Sequence, residues 1–236
     1  LEPILVRRLK EDLRKIGVDL PKRIVVPIVI DGLRKDLPEL VLSGLLKSYK
    51  EKREYRLKNA TVKEKAAELL VVGNLQKRLL SSIEAFHRTL NVHMSTLQKR
   101  ERGEKIKIAK NTDQLKLLKG GIDSDDDLAD IDEMQVEEKA AHQHQIALAT
   151  TGHGAEEDEW EILNKMNHIS SHARYQKDAR IDYLKKWIKN NMCPDLGEKN
   201  AKWNNERLLI FTEYADTKSW LENQISSLIA DSDNEE

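Results

Sequence analysis

Residues 61–97, TVKEKAAELLVVGNLQKRLLSSIEAFHRTLNVHMSTL, decide how the rest of the chain is read. Thr61 followed three residues later by Glu64 has the pattern of a capping box, in which a hydroxyl and a carboxylate satisfy the N–H groups that a first helical turn leaves unpaired. Leu69, Leu70, Val72, Leu75, Leu79 and Leu80 then give one apolar face. Ile83, Phe86, Leu90 and Met94 continue a similar face after a second box-like start at Ser81-Ser82-Ile83-Glu84. The pattern predicts two consecutive amphipathic helices whose apolar faces are core.

Toward the N-terminus, Leu37-Pro38-Glu39 starts another helix, so that residues 38–102 read as two or three long antiparallel helices. Ahead of them, Ile24-Val25-Val26-Pro27-Ile28-Val29-Ile30 is β-branched and bounded by Pro21 and by Asp31-Gly32. It reads as a strand that Pro27 confines to an edge or a bulge. Apolar residues at 5, 9, 13 and 16 predict a short helix over Ile4–Ile16, stopped by Gly17. Toward the C-terminus, Trp160–His168 and Ala179–Ile188 are amphipathic and would close the bundle, the second stopping near Asn190-Asn191. Arg207-Leu208-Leu209-Ile210-Phe211 then reads as a strand leading into a helix over Asp216–Ile229, the opening of an α/β unit.

Composition agrees with a mainly helical chain. Of 236 residues, 34% are charged and 5% aromatic, a balance suited to long solvated helices. A single cysteine, Cys193, excludes an intramolecular disulfide and a Cys-rich zinc site, and points to a reducing, cytoplasmic setting. Lacking a neighbouring base, it reads as inert. There is no apolar run of the roughly 18 residues that a membrane span needs. The opening Leu1-Glu2-Pro3-Ile4-Leu5, without an initiator methionine, reads as the start of an internal piece of a longer protein.

The net charge of −1 hides a polarity along the chain. Residues 47–110 hold 17 basic against 7 acidic side chains, whereas residues 123–161 hold 14 acidic against one basic. The basic block reads either as a phosphate-facing surface or as a solvated helical face laced with ion pairs. The acidic block, around Gly120-Gly121-Ile122-Asp123-Ser124-Asp125-Asp126-Asp127, reads as a flexible linker. His142, His144 and His153 do not read as a metal site, because His-x-His on a helix sends its rings about 200° apart.

In order along the chain, several motifs resemble those of Swi/Snf-type helicases of superfamily 2. Val6-Arg7-Arg8-Leu9-Lys10 with Leu20-Pro21-Lys22-Arg23 and the following strand resembles the end of the first motor lobe. Arg207-Leu208-Leu209-Ile210-Phe211-Thr212-Glu213-Tyr214 resembles helicase motif IV, the first strand of the second lobe. Between them, Leu75-Gln76-Lys77-Arg78-Leu79-Leu80-Ser81-Ser82 with Ala85-Phe86 and Thr89-Leu90 is similar to the helical insertion of bacterial relatives. These are the RapA/HepA type and the phage-defence (DISARM-associated) helicases. Asp178-Ala179-Arg180 looks like the start of the helix that leads into the second lobe.

The resemblance implies a mainly α chain in which a long antiparallel helical insertion is flanked by short strands of two RecA-like α/β lobes. Residues 1–36 would end lobe 1, 37–119 form the insertion, 120–158 the acidic linker, 159–192 the closing helices and 193–236 the start of lobe 2. It implies double-stranded DNA held by its backbone, the two lobes of the parent as partners, and no membrane. ATP and magnesium belong to that parent. This chain has neither the G-x-x-x-x-G-K-[ST] phosphate loop nor an Asp-Glu-x-His box, and it is expected to carry no catalytic residue and no cofactor.

The cations expected on phosphate are Arg7, Arg8, Lys10, Lys22 and Arg23 at the lobe boundary and Lys77, Arg78 and Arg88 on the insertion. Thr212 and Tyr214 stand where motif IV approaches the nucleic-acid backbone. For Arg7 and Arg8 an ion pair with Glu11 or Asp12 is the alternative, and for Tyr214 a cap over the following helix. The competing function is a helical module that docks a partner protein, with the insertion helices and the acidic segment as its surface.

Overall fold

The computed structural model describes residues 10–18, 24–104, 154–198 and 200–229. Arg7, Arg8, Lys22 and Arg23, the acidic stretch from 120 to 153, and His142, His144 and His153 lie outside them. The chain forms two compact units, Leu1–Asp31 and Gly32–Glu236. In the first, α1 (Lys10–Lys15) is closed by Gly17 at φ 88°. The Gly17 N–H reaches Arg14 O at 3.1 Å and the Val18 N–H reaches Leu13 O at 3.0 Å, a Schellman closure that needs a left-handed residue where glycine stands.

Residues 24–30 do not form the expected strand. They have no ladder partner among the described residues, and Ile24, Val25, Val26, Ile28 and Val29 are exposed. β-branched residues supply propensity, but a strand exists only through hydrogen bonds to a neighbour. The same holds in the second unit for 207–211, where Leu209 and Phe211 are 81% and 91% exposed.

The second unit is helical: α2 (Pro38–Arg56), a single 3-10 turn at Leu57–Asn59, α3 (Val62–Ser81), α4 (Ile83–Glu101), α5 (Glu157–Ala173), α6 (Ala179–Asn191) and α7 (Ala215–Ile229). Pro38 occupies the first turn of α2, where its missing N–H costs nothing. The Thr61 box forms: the Glu64 N–H reaches Thr61 Oγ1 at 3.3 Å, and the Thr61 N–H reaches the Glu64 carboxylate at 2.8 Å. The second start falls one residue later than expected. Ser82 caps α4, its Oγ accepting from the Ala85 N–H at 3.0 Å, which leaves Glu84 for tertiary pairing.

α2 packs on α3 and α5, and α4 packs on α3, α5 and α7. Leu42, Leu46 and Tyr49 of α2 meet Val71, Leu75 and Leu79 of α3, Phe86, Leu90 and Leu97 of α4, and Leu163 and Met166 of α5 in one core. The apolar face of α3 is rotated from the expected one: Leu69, Leu70 and Leu80 are exposed, while Val71, Glu68 and Arg78 are turned inward. At one end of α4, Glu101 accepts from Trp160 Nε1 at the start of α5, at 2.7 Å. At the other, Glu84 accepts from Arg174, just past the end of α5. A smaller core of Ile188, Met192, Cys193, Leu196 and Ala201 holds α6 to the loop that follows it, with Ile229 of α7 against it.

Candidate nucleic-acid interface

Of the cations expected on phosphate, Lys77 is exposed on α3 and has no ion-pair partner among the described residues. Lys10 is the first residue of α1. Arg78 is not available to a phosphate. It is buried, with Nη1 3.4 Å from Asp216 Oδ2 and its guanidinium carbon 3.9 Å from the centre of the Tyr214 ring. The reason lies in the helix period: Arg78 shares the inward arc of Val71, Leu75 and Leu79.

Arg88 is half-exposed and bridges two carboxylates, reaching Glu84 at 2.7 Å and Asp216 at 2.5 Å. Thr212 is exposed, and its hydroxyl donates to Tyr214 O at 3.2 Å. Tyr214 is half-buried against Arg78, and its carbonyl accepts the N–H groups of Thr217 and Lys218 at the start of α7. Tyr214 therefore caps the helix that follows, the alternative open to it from sequence.

What the fold assembles from these residues is a chain of charges: Arg174, Glu84, Arg88, Asp216 and Arg78. Arg174 reaches Glu84 through Nε at 2.5 Å and Nη2 at 2.7 Å, a bidentate geometry in which two parallel N–H groups match one carboxylate. Burial alone would raise the Glu84 pKa, but the hydrogen bonds from Arg174 and Arg88 reverse that and hold it below the ordinary carboxylate value. His87 beside them is pushed down, by burial first and then by the Arg174 charge. Its Nε2 is 3.0 Å from the Asn91 amide nitrogen, so it accepts there, and Nδ1–H donates to Ser170 Oγ at 2.9 Å. Tyr214 is raised, by burial and by Glu213, against the pull of Arg78.

The joint between α3 and α4 lies at the same place. Ser81 Oγ and Ser82 Oγ are 2.6 and 3.1 Å from Thr217 Oγ1 on α7. Arg180, at the start of α6, donates through Nη1 to Leu80 O at 2.5 Å and Ser81 O at 2.8 Å, satisfying carbonyls that the end of α3 leaves open. Its Nε also reaches Asp178, the N-cap of α6, at 2.9 Å. α3, α4, α6 and α7 thus meet around one polar knot. Sequence reasoning missed Asp216, Glu84, Arg174 and Thr217. The one signal for Asp216 was an acid in the first turn of a helix, where the dipole favours it.

A second buried pairing, unexpected from the sequence, locks the opposite end of the bundle core. Arg53 is fully buried on α2, donating to Glu68 of α3 at 2.8 and 2.5 Å, to Gly154 O at 2.8 Å and to Glu159 of α5 at 3.5 Å. Burial alone would lower the Arg53 pKa; the Glu68 hydrogen bond and the surrounding charges raise it instead, so it stays a cation. Burial pushes the Glu159 pKa up, although Arg53 and Arg56 stand beside it. Tyr49 Oη lies 2.7 Å from His93 Nε2 in the same layer.

Cys193 is buried, and burial pushes its thiol pKa up, the condition of an unreactive thiol. Among the described residues no group of three His, Cys, Asp or Glu side chains is placed to hold a metal, and no helix is long and apolar enough to cross a membrane. No protein-family model, curated protein or solved structure matches the chain.

Proposed function

We propose that the chain is the segment coupling the two motor lobes of an ATP-dependent DNA helicase or translocase of Swi/Snf type, working in the cytoplasm and contacting the backbone of double-stranded DNA. The observation that carries this reading is the charge chain from Arg174 to Arg78, which ties the α3–α4 joint to α5 and to α7. α7 is the helix that follows the motif IV-like stretch. Glu84, Asp216 and Arg78 are buried, so separating them from their partners strands a charge away from water, and the charge chain resists being pulled apart. A shift of α7 is then handed to the α3–α4 joint rather than dissipated in a loose interface.

The exposed apolar runs fit the same reading. Residues 24–30 and 207–211 would become strands when the sheets of the two lobes lie beside them, covering side chains such as Leu209 and Phe211. The paired ends of α4 and α5 support an antiparallel insertion. ATP and magnesium would be bound by the parent's lobes: this chain has no phosphate loop or metal-holding acidic box to receive them, and alone it hydrolyses nothing. A protein that docks on the motor is the second partner the helical surface allows.

DNA binding by the chain tests the reading. Fluorescence anisotropy with a labelled duplex, repeated over a salt series, compares wild type with the Arg7→Ala/Arg8→Ala/Lys22→Ala/Arg23→Ala variant. Each phosphate that the variant no longer neutralises lowers the slope of log affinity against log salt by about 0.9, so four of them lower it by about 3.6. Absence of binding by wild type at low salt, with salt-insensitive capture of a protein instead, would establish the docking-module alternative.

A further inference from the structure

Among the described residues, ion pairing of lysine differs from helix to helix. On α2 and α5 the lysines are neutralised: Lys47 by Glu51 at 3.9 Å, Lys50 by Glu54 at 3.7 Å, Lys52 by Asp158 and Lys165 by Glu161 at 2.6 Å. On α6, Lys185, Lys186 and Lys189 have no ion-pair partner among the described residues. Asp182, one turn before Lys186, makes no ion pair with it. Arg180, the remaining cation of the helix, is committed to Asp178 and to the end of α3.

At 100° per residue the three lysines fall within about 100° of arc that begins beside the buried Ile181 and Ile188 and also holds Asp182; Lys185 is half-buried, and Lys186 and Lys189 are exposed. Lys185 and Lys189 are one turn, about 6 Å, apart along the axis. Three cations against the one carboxylate of Asp182 leave a net positive stripe, and a row of anions at comparable spacing offsets the repulsion between the lysines. The helix is also anchored on both sides. Arg180 ties its start to the α3–α4 joint, and Ile188 packs in the small core that includes Ile229 of α7.

We propose that the Lys185–Lys186–Lys189 face of α6 is a second phosphate-contacting surface, gripping the backbone of a nucleic-acid duplex without base specificity. It rests on the reading of the chain as a DNA-contacting coupling segment. It also takes the role assigned to Arg78 and Arg88, both held by carboxylates. Lysines suit it as compact charges on flexible stems that follow a backbone rather than read base edges.

The test is duplex binding over a salt series by the whole chain and two triple variants that remove equal charge. Lys185→Ala/Lys186→Ala/Lys189→Ala removes the α6 face, and Lys47→Ala/Lys50→Ala/Lys165→Ala removes lysines already paired. Circular dichroism checks that both stay helical. The expected result is a slope reduced by about 2.7 in the α6 variant and by much less in the control. Equal reductions in both would mean that net charge alone matters, and would overturn the site. An unchanged α6 variant, with the lobe-boundary variant still weakened, would overturn this site and leave the coupling reading standing. Absence of duplex binding by wild type at low salt would overturn both. Tighter binding of poly-glutamate than of duplex would make the face a dock for acidic protein, and would overturn the nucleic-acid assignment.

Discussion

Asp216→Ala should detach α7 from the α3–α4 joint. Asp216 is 6% exposed and faces two guanidinium groups. Arg88 is half-exposed and returns to water at little cost, but Arg78 is buried and keeps only the Tyr214 ring. Breaking a buried pair by removing one partner costs about 3–5 kcal/mol, and the cation–π interaction that survives places this case at the lower end, about 3 kcal/mol. Amide exchange on α7 reads this directly: about 3 kcal/mol corresponds to protection lowered about 100-fold, with urea unfolding giving the global value. Arg78→Met on the same background removes the stranded charge and restores most of the stability, so the two changes are far from additive. A cost below about 0.5 kcal/mol for Asp216→Ala, or a double variant as unstable as the sum of the singles, would refute the buried pairing as the tie between α7 and the joint.

Arg53→Met leaves Glu68 buried without its partner and should cost about 3–5 kcal/mol in thermal or urea unfolding, while Arg53→Met/Glu68→Leu recovers much of it. Thr61→Ala removes the cap of α3 and should cost about 1 kcal/mol, measured the same way. Acidification tests His87, whose folded pKa is lowered. Its neutral form is favoured in the fold, so its contribution is intact above the unfolded value of about 6.5 and is lost as pH falls below that. Unfolding free energy should therefore decline as pH falls below about 6.5 in wild type, and His87→Gln should flatten that limb. Glu84, also lowered, adds a separate loss only below its unfolded value of about 4.3, and Glu84→Gln should remove that lower limb.

The helices were legible because their signals are local. Pro38, the Thr61–Glu64 box and the apolar repeat of α3 and α4 each act within a turn or two, and the helices begin close to where those residues place them. Residues 24–30 and 207–211 were over-read as strands, because β-branched propensity is local whereas pairing needs a neighbouring strand, and neither stretch has one among the described residues. The interior charges were half legible. Arg53 falls in register with Leu42, Leu46 and Tyr49, and Arg78 with Val71 and Leu75, so the helical period marks both as inward-facing. Their partners were invisible: Arg78 meets Asp216 across 138 positions and Arg53 meets Glu159 across 106. Reading Arg78 as a surface cation followed its charge and neglected its phase.

Ser82 is the single residue between two long helices, extended at φ −161° and ψ 156°, ending α3 and starting α4 at once. Such an elbow has leverage. α3 holds 20 residues and is about 30 Å long, so a rotation of about 5° at Ser82 carries its far tip through about 2.6 Å. The hydroxyls of Ser82 and Thr217 sit at the fulcrum, where sub-ångström adjustments suffice to set the angle, while the displacement is delivered at the opposite end of the bundle, beside Arg53 and Glu68.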